Sequence, residues 1–323
     1  MIDSDNKIIV SIICNAYNHE KYIRDALDGF VMQKTNFPFE ILIHDDASTD
    51  KTADIIREYE QKYPELIKPI YQTENQYSKK EGTVSKIQFG RVSGKYIAIC
   101  EGDDYWTDSL KLQKQFDAME AHPEVDICTH ATTSIHAVTG EVTGYVEPDE
   151  KDAILSAEQV IAGGGAYVAT NSIFYRADLS KTDNMPQFRK KCKIDYTLQI
   201  HGSLRGGMLY LKDNMSVYRV GNSNSWSGRT YKNKDEWYKH SIYMINLLKE
   251  MNEELKYKYN KEIQLMIKNY WTDICSITNN YWEAKKNNYE KQYISYKTMR
   301  FKEAINRKFP YIRKIKRRII NGE

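Results

Sequence analysis

The chain has 323 residues, 41% of them hydrophobic, and 47 basic against 44 acidic side chains, for a formal net charge of +3. That length and apolar content build one sizeable core with an appended element, and the near-neutral charge excludes a protein that holds nucleic acid by its overall electrostatics. The cysteines, Cys14, Cys100, Cys128, Cys192 and Cys275, are odd in number, widely spaced and without a CxxC pair. They argue against a disulfide framework or a zinc site, and Cys14, Cys100 and Cys128 sit in apolar runs as buried thiols of a reducing compartment. No basic region followed by an apolar stretch opens the chain, and no window approaches a membrane span, so neither a signal peptide nor a transmembrane helix is expected.

Strand and helix patterns alternate through the first 130 residues. Residues 8–14 form a β-branched run that reads as a buried strand. Residues 20–33 place Ile23, Ala26, Leu27, Phe30 and Val31 at helical spacing. Strands are expected at 39–44, 66–71, 94–100 and 125–131, and helices at 51–63, 85–92 and 108–121, the last ended by His122-Pro123. This alternation implies a mainly parallel, doubly wound α/β sheet, in which ligands bind outside the carboxyl ends of the strands. Residues 132–165 are less regular, and Gly163-Gly164-Gly165 marks a tight or flexible point. A strand at 168–175, a helix at 190–204 and a hairpin-like pair at 208–212 and 216–220 follow. Residues 221–228 read as a small-residue loop around Trp226, and beyond 232 the pattern is helical.

Three of the expected strands end in polar loops: Asn15-Ala16-Tyr17-Asn18, Asp45-Asp46-Ala47-Ser48-Thr49-Asp50 and Glu101-Gly102-Asp103-Asp104. Acids packed at a strand end repel each other unless a cation sits between them. Mg²⁺ or Mn²⁺ takes one or two carboxylates together with substrate phosphate oxygens. The competing explanation is helix capping, by Asp104 or Asp108 before the helix near Leu110, and by Ser48 or Asp50 before Lys51. Capping does not account for acids at two separate strand ends. An Asp in the second loop can accept a hydrogen bond from a nucleobase, and Tyr17 can pack on a ring. His44, His130, His136 and His201 have no metal-ligand spacing, and GxSxG, GxxxxGK[ST] and GxGxxG are absent.

Taken together, Asn-Ala-Tyr-Asn, Asp-Asp-Ala-Ser-Thr-Asp-Lys-Thr and Glu-Gly-Asp-Asp-Tyr-Trp resemble family 2 glycosyltransferases of the GT-A fold, firmly over 8–130 and more loosely over 165–228. The resemblance implies inverting transfer of a sugar from a nucleotide-sugar donor, UDP-linked, to a hydroxyl of a glycan or lipid-linked acceptor in surface polysaccharide biosynthesis, with Mn²⁺ or Mg²⁺ as cofactor. It implies a catalytic domain over 1–230, with a nucleotide-sugar half to about 131 and an acceptor half after it, and a basic helical extension over 231–323. Asn15, Ala16 and Tyr17 fall in the nucleotide-binding loop, and Asp46 in the base-contacting position. Asp103 and Asp104 match the Asp-x-Asp site of ribose and metal contact, with Glu101 at its leading acidic place.

Inverting transfer needs a base for the acceptor hydroxyl and charge to stabilise the departing diphosphate. Asp195, opening an apolar helical stretch, matches the family's catalytic acid; an ordinary cap is the other possibility. Many members carry a His after a Tyr-Arg pair near the last strand, where this chain has Gly221 and Asn222. Arg219 and Trp226 are candidates for diphosphate or acceptor contact, or for packing, and Lys86 for phosphate contact, or for a solvated face.

From Lys297 onward Lys and Arg face only Glu303 and Glu323, with Phe301, Ile305, Phe309 and Ile312 interleaved. The segment suits the anionic inner face of a cell membrane, or a helix packed with its charged side outward. Nucleic acid is not an expected partner. The rival class is a non-catalytic sugar-nucleotide-binding or assembly protein, which needs no base at Asp195. A sugar-phosphate nucleotidyltransferase needs a glycine-rich phosphate loop, and residues 8–18 contain no glycine.

Overall fold

The computed structural model describes residues 7–79, 83–222, 228, 230 and 232–308. The chain divides into two compact units, Met1–Ser225 and Trp226–Glu323.

The first unit opens with β1 (Val10–Ala16), α1 (Ile23–Val31), β2 (Phe39–Asp45), α2 (Thr52–Lys62), β3 (Ile67–Tyr71), α3 (Thr83–Phe89) and β4 (Tyr96–Ile99). The strands pair in parallel in the order β3-β2-β1-β4. Their apolar runs are buried, as a sheet covered on both faces requires. Ile23, Ala26, Leu27 and Phe30 of α1 and Ile56 and Tyr59 of α2 join the core against them.

The remainder is built from β5 (Tyr105–Trp106), α4 (Lys111–Ala121), β6 (Ile127–His136), β7 (Val142–Val146), β8 (Ala153–Leu155), α5 (Ala157–Gly163), β9 (Phe174–Arg176), α6 (Gln187–Lys191), α7 (Asp195–Ser203) and β10 (Met208–Val220). The sheet continues β4-β9-β6-β10-β5, with β7 and β8 as antiparallel additions to β6 and β10. The fold is thus the expected α/β arrangement with a mainly parallel central sheet, into which β9 is spliced antiparallel to both neighbours.

Three local expectations are corrected. The hairpin at 208–220 is a single strand: both its parts pair in parallel with β6, and register shifts between Leu211 and Asn214 and between Asn214 and Ser216 absorb the polar residues that resemble a turn. The strand at 168–175 is a 3₁₀ turn, Thr170–Ser172, followed by the short β9. There Asn171 is fully buried; its Nδ2 donates to the Val217 carbonyl (2.8 Å), and its own carbonyl accepts from Trp106 Nε1 (2.8 Å). The helix at 190–204 breaks into α6 and α7, because Cys192 and Ile194 are extended and the Thr197 hydroxyl reaches the Cys192 carbonyl (2.6 Å). The break leaves Asp195 at the first position of α7.

In the second unit the described residues form α8 (Lys234–Glu254), α9 (Asn260–Thr278), α10 (Tyr281–Lys286) and α11 (Glu290–Lys308). Asn233 and Asn280 cap α8 and α10 through side-chain oxygens that accept backbone N–H groups. Met244, Ile245, Leu248 and Met251 of α8, and Ile263, Met266, Ile267 and Ile274 of α9, are buried. No helix among the described residues is long and apolar enough to cross a membrane.

Candidate active site

The loops after β1, β2 and β4 are tied to one another. Asn15 Nδ2 donates to Glu101 Oε1 (3.2 Å), and the Gly102 N–H donates to the Asn15 carbonyl (2.9 Å). The Asp46 N–H donates to the Ala16 carbonyl (2.9 Å), and the Asn18 N–H to Ser48 Oγ (3.0 Å). Asn18 and Ala47 adopt the left-handed region, at φ 56° and 61°, which Ala takes only when its surroundings impose it.

The acids of the second loop divide into different tasks. Asp50 Oδ1 accepts from the Thr52 N–H (2.9 Å) at the start of α2, which is capping chemistry. Asp45 is buried with one oxygen unpartnered, and burial raises its carboxyl above the ordinary range. Asp46, also buried, accepts from the Gln76 N–H (2.7 Å) and the Tyr77 N–H (3.0 Å), so it pins the segment after β3 over the loop. Tyr17 is half-buried beside it. Lys86 is exposed on α3; Gln88 on the same helix reaches inward instead, donating to the Cys14 carbonyl (3.1 Å) and Asn15 Oδ1 (3.3 Å).

At the end of β4, Asp104 is buried and accepts from the Arg219 N–H (2.8 Å), fastening β10 to the acidic loop. Burial, and then the neighbouring Asp103, pushes its carboxyl well above the usual carboxylate range. Asp103 keeps 14% of its side chain exposed; Asn222 Nδ2 donates to it (3.2 Å), and His19 Nε2 lies 3.9 Å away. Arg219 faces inward: Nη1 donates to the Asp103 carbonyl (2.8 Å), Nη2 pairs with Asp25, and the guanidinium lies 5.0 Å and 4.5 Å from the rings of Tyr22 and Tyr105. The capping alternative near Leu110 belongs to Asp108, which accepts from the Leu110 N–H (2.8 Å).

Asp195 stands at the first position of α7. Its Oδ2 accepts from the Thr170 hydroxyl (2.6 Å) and its Oδ1 from the Tyr196 N–H (2.7 Å). Burial raises Asp195 above its ordinary range against the pull of these bonds. Glu101 is pushed up to about 7 by burial and by Asp103, with Asp195 adding to the effect and Asn15 opposing it. Trp226 lies outside the described residues. Sequence reasoning passed over His19, Gln88, Thr170 and Asn171. Only His19 carried a signal, as a histidine directly following the first polar loop.

Among the described residues no group of three or more His, Cys, Asp and Glu side chains is arranged to hold a metal by itself. The carboxylate set at Asp103 and Glu101 fits a hard divalent cation that brings phosphate oxygens as its remaining ligands. All five cysteines are buried free thiols, and burial raises Cys14 and Cys100 out of the reactive range.

The sheet order and the acids at its carboxyl edge define a mainly parallel α/β protein with a polar site at its strand ends. Residues 11–161 match the family model "Glycosyl transferase family 2", and the chain thus carries a family 2 glycosyl transferase domain. An uncharacterized protein of Mycobacterium tuberculosis, Rv1520, is 39% identical over 212 residues, spanning 65% of this chain and 58% of that protein. The chain thus matches little more than half the length of that curated relative. An Escherichia coli protein named UDP-Glc:alpha-D-GlcNAc-diphosphoundecaprenol beta-1,3-glucosyltransferase WfaP is 35% identical over 112 residues, 35% of this chain and 41% of that one. Among solved structures, S. aureus TarS 1-349 in complex with UDP-GlcNAc has the same fold, with a TM-score of 0.56 at 18% identity over 90% of this chain and 92% of that chain.

Proposed function

We propose that the protein is an inverting glycosyltransferase. It moves a sugar from a UDP-linked donor to a hydroxyl of a glycan or lipid-linked acceptor in surface polysaccharide biosynthesis. The observation that carries this reading is the placement of Asp195 at the start of α7: Thr170, which donates to it (2.6 Å), belongs to the turn whose Asn171 carbonyl accepts from Trp106 Nε1 (2.8 Å), two residues beyond the acidic Glu101–Asp104 loop. The names of WfaP and of the TarS complex support the donor and acceptor classes.

In this reading Asp46 and the Asn15–Tyr17 loop receive the base, and Asp103, with Glu101 beside it, holds Mn²⁺ or Mg²⁺. When bound, that ion neutralises charge on the leaving diphosphate. Asp195 accepts the proton of the acceptor hydroxyl as its oxygen bonds to the anomeric carbon and the bond to the nucleoside diphosphate breaks on the opposite face. Thr170 and the first amide of α7 hold the carboxylate in place. Arg219 and Asp104 act indirectly by fixing the backbone of Asp103. A thermal-shift panel of nucleotide sugars with and without Mn²⁺ tests the reading. Stabilisation by a sugar nucleotide that grows with Mn²⁺ is expected, and no stabilisation by any member counts against it.

A peripheral position at the inner face of the membrane is proposed for the second unit. Ile294 and Phe301, 52% and 67% exposed, stand one heptad apart on α11, each turned about a quarter of the helix circumference from the buried Tyr293. Lys291, Lys297 and Lys302 flank them, which suits an anionic bilayer. The basic residues after 308 lie outside the described structure. Ending the chain before Lys297 is expected to release it from phosphatidylglycerol vesicles while a soluble acceptor is still glycosylated; equal vesicle binding with and without the segment excludes the anchor.

A further inference from the structure

His19 has no task in the reaction as derived. It stands in the turn that enters α1, where its N–H donates to Thr52 Oγ1 (2.7 Å) and its carbonyl accepts from the Tyr22 and Ile23 N–H groups. Its side chain is 13% exposed, and Nδ1 is buried without a hydrogen-bond partner. Nε2 lies 3.9 Å from Asp103 Oδ2, beyond hydrogen-bonding distance. No group among the described residues hydrogen-bonds Nε2, so it is the ring nitrogen open to a ligand, with the proton then carried by Nδ1. The neighbouring glycine makes room for this placement: a Cβ on Gly102 would stand 2.9 Å from His19 Nδ1 and 2.9 Å from Ile23 Cδ1.

We infer that His19 Nε2 and the Asp103 carboxylate together take the divalent cation that accompanies the donor diphosphate. The inference rests on the transferase reading above. Two donor atoms each about 2.1 Å from one cation are at most about 4.2 Å apart, so the existing separation of 3.9 Å allows a shared ion with little movement. With no three-residue metal group among the described residues and Glu101 hydrogen-bonded to Asn15, the ion's protein ligands are His19 and Asp103, with Glu101 kept out of the set; the other coordination positions go to phosphate oxygens and water, so the ion binds as part of the metal–nucleotide complex. An imidazole nitrogen also shifts selectivity away from Mg²⁺ and toward first-row transition ions. Where the family resemblance leads one to look for a histidine after the last strand, this chain has Gly221 and Asn222; the imidazole comes from the first loop instead, and Asn222 steadies Asp103.

The test titrates Mn²⁺ into the full chain with UDP or GDP, whichever stabilises the wild type, and follows it by electron paramagnetic resonance. Spin-echo spectra of the bound ion are expected to show nitrogen modulation from a ligated imidazole. His19→Ala is expected to lose that modulation, to bind Mn²⁺ at least about tenfold more weakly, the scale on which groups around a metal site act, and to narrow the preference for Mn²⁺ over Mg²⁺. His19→Gln and Gly102→Ala, with melting temperatures measured alongside, separate ligand loss from misfolding: both are expected to lose the nitrogen signal while the fold holds. Wild-type Mn²⁺ bound without nitrogen modulation, or bound equally tightly by His19→Ala while Asp103→Ala loses it, overturns the assignment of His19 and leaves the transferase reading standing. Failure of every nucleotide and of Mn²⁺ to bind removes both.

Discussion

The half of the sheet formed by β3, β2, β1 and β4 and the half formed by β9, β6, β10 and β5 are held together differently. In the first, helices connect parallel strands covered mainly by apolar side chains, with the buried Ser11–Glu40 bond (2.7 Å) local to β1 and β2. In the second, an apolar core that includes Ile127, Ile173, Leu198 and Met208 is joined by a set of buried polar side chains that link segments distant in sequence. The Thr132 and Ser216 hydroxyls are 2.9 Å apart, the Ser216 hydroxyl donates to Asn171 Oδ1 (3.1 Å), and Gln115 Nε2 donates to the Ser172 carbonyl (2.9 Å). Apolar burial can be satisfied by many neighbours, whereas a buried hydrogen bond is satisfied only by a partner in the right place. The second half therefore fixes its geometry through single residues, and the acid proposed as the base sits there.

That contrast can be broken at four places. The largest effect is expected at Asp195. Asp195→Asn keeps the size and much of the hydrogen bonding but removes the basicity, so transfer is expected to fall by about 10²-fold or more while donor affinity and melting temperature stay close to wild type. Near-normal turnover with a modest stability change makes Asp195 a helix-terminus residue only and revives the non-catalytic binding reading.

Asp104 joins the two halves. Asp104→Ala leaves the buried Arg219 N–H without its acceptor, and a loss of about 1–3 kcal/mol in chemical denaturation is expected. Turnover and Mn²⁺-dependent nucleotide binding are expected to be lost with it, because Asp103 shares the loop. Asp104→Asn retains an acceptor oxygen and is expected to recover most of the stability. Full activity of the Ala variant in EDTA rules out a metal role for this loop.

Lys111 spans the same junction. It is fully buried, its Nζ donating to Gln115 Oε1 (2.7 Å) and standing 3.9 Å from the Trp106 ring. Burial pushes its ammonium down to about 7, whereas an unfolded chain keeps lysine near ~10.4. Between those values the unfolded state binds more protons, so stability rises with pH across this window and is least below it. Lys111→Met is expected to be more stable than wild type near neutrality, with the advantage shrinking by about 1.4 kcal/mol per pH unit toward pH ~9.5. Parallel pH profiles of the two proteins show that Lys111 does not carry this term.

The smallest effect is at Thr170. Its hydroxyl lowers the Asp195 carboxyl by hydrogen bonding. Thr170→Val is expected to move the acidic limb of the pH–rate profile upward and to slow transfer several-fold, the scale of the about 1 kcal/mol that a typical hydrogen bond contributes. An unchanged limb shows that the bond does not tune the base.

The strands and helices of the parallel half were legible because each buries a face whose period is printed in the residues: Ile23, Ala26, Leu27 and Phe30 at helical spacing, and the unbroken run in β1. The polar loops at three strand ends were legible for a related reason. Acids following apolar strands fall at the carboxyl edge whatever the packing details. Local pattern failed where a distant partner decided conformation. Lys212-Asp213-Asn214 has the composition of a turn, yet β6 pairs with both sides of it. Residues 168–172 have strand composition, yet the Asn171 hydrogen bonds fold them into a turn. Arg219 looks available to a diphosphate, yet its guanidinium is held by Asp103 and Asp25.

The sequence by itself determined the α/β alternation, the edge of the sheet where chemistry gathers, and the kinds of residue found there, because periodicity and strand-end placement are local properties of the chain. Only the tertiary structure decided where each acid sits and what it bonds. Asp103 and Asp104 are adjacent in sequence and both acidic, but one meets His19 and Asn222 at the cleft while the other is buried beneath the Arg219 backbone, 115 positions away. The Thr170–Asp195 bond and the His19–Asp103 approach likewise depend on chain segments brought together by the sheet. Burial and hydrogen-bond partners set the charge and freedom of a carboxylate, and both are supplied by residues that no local window contains.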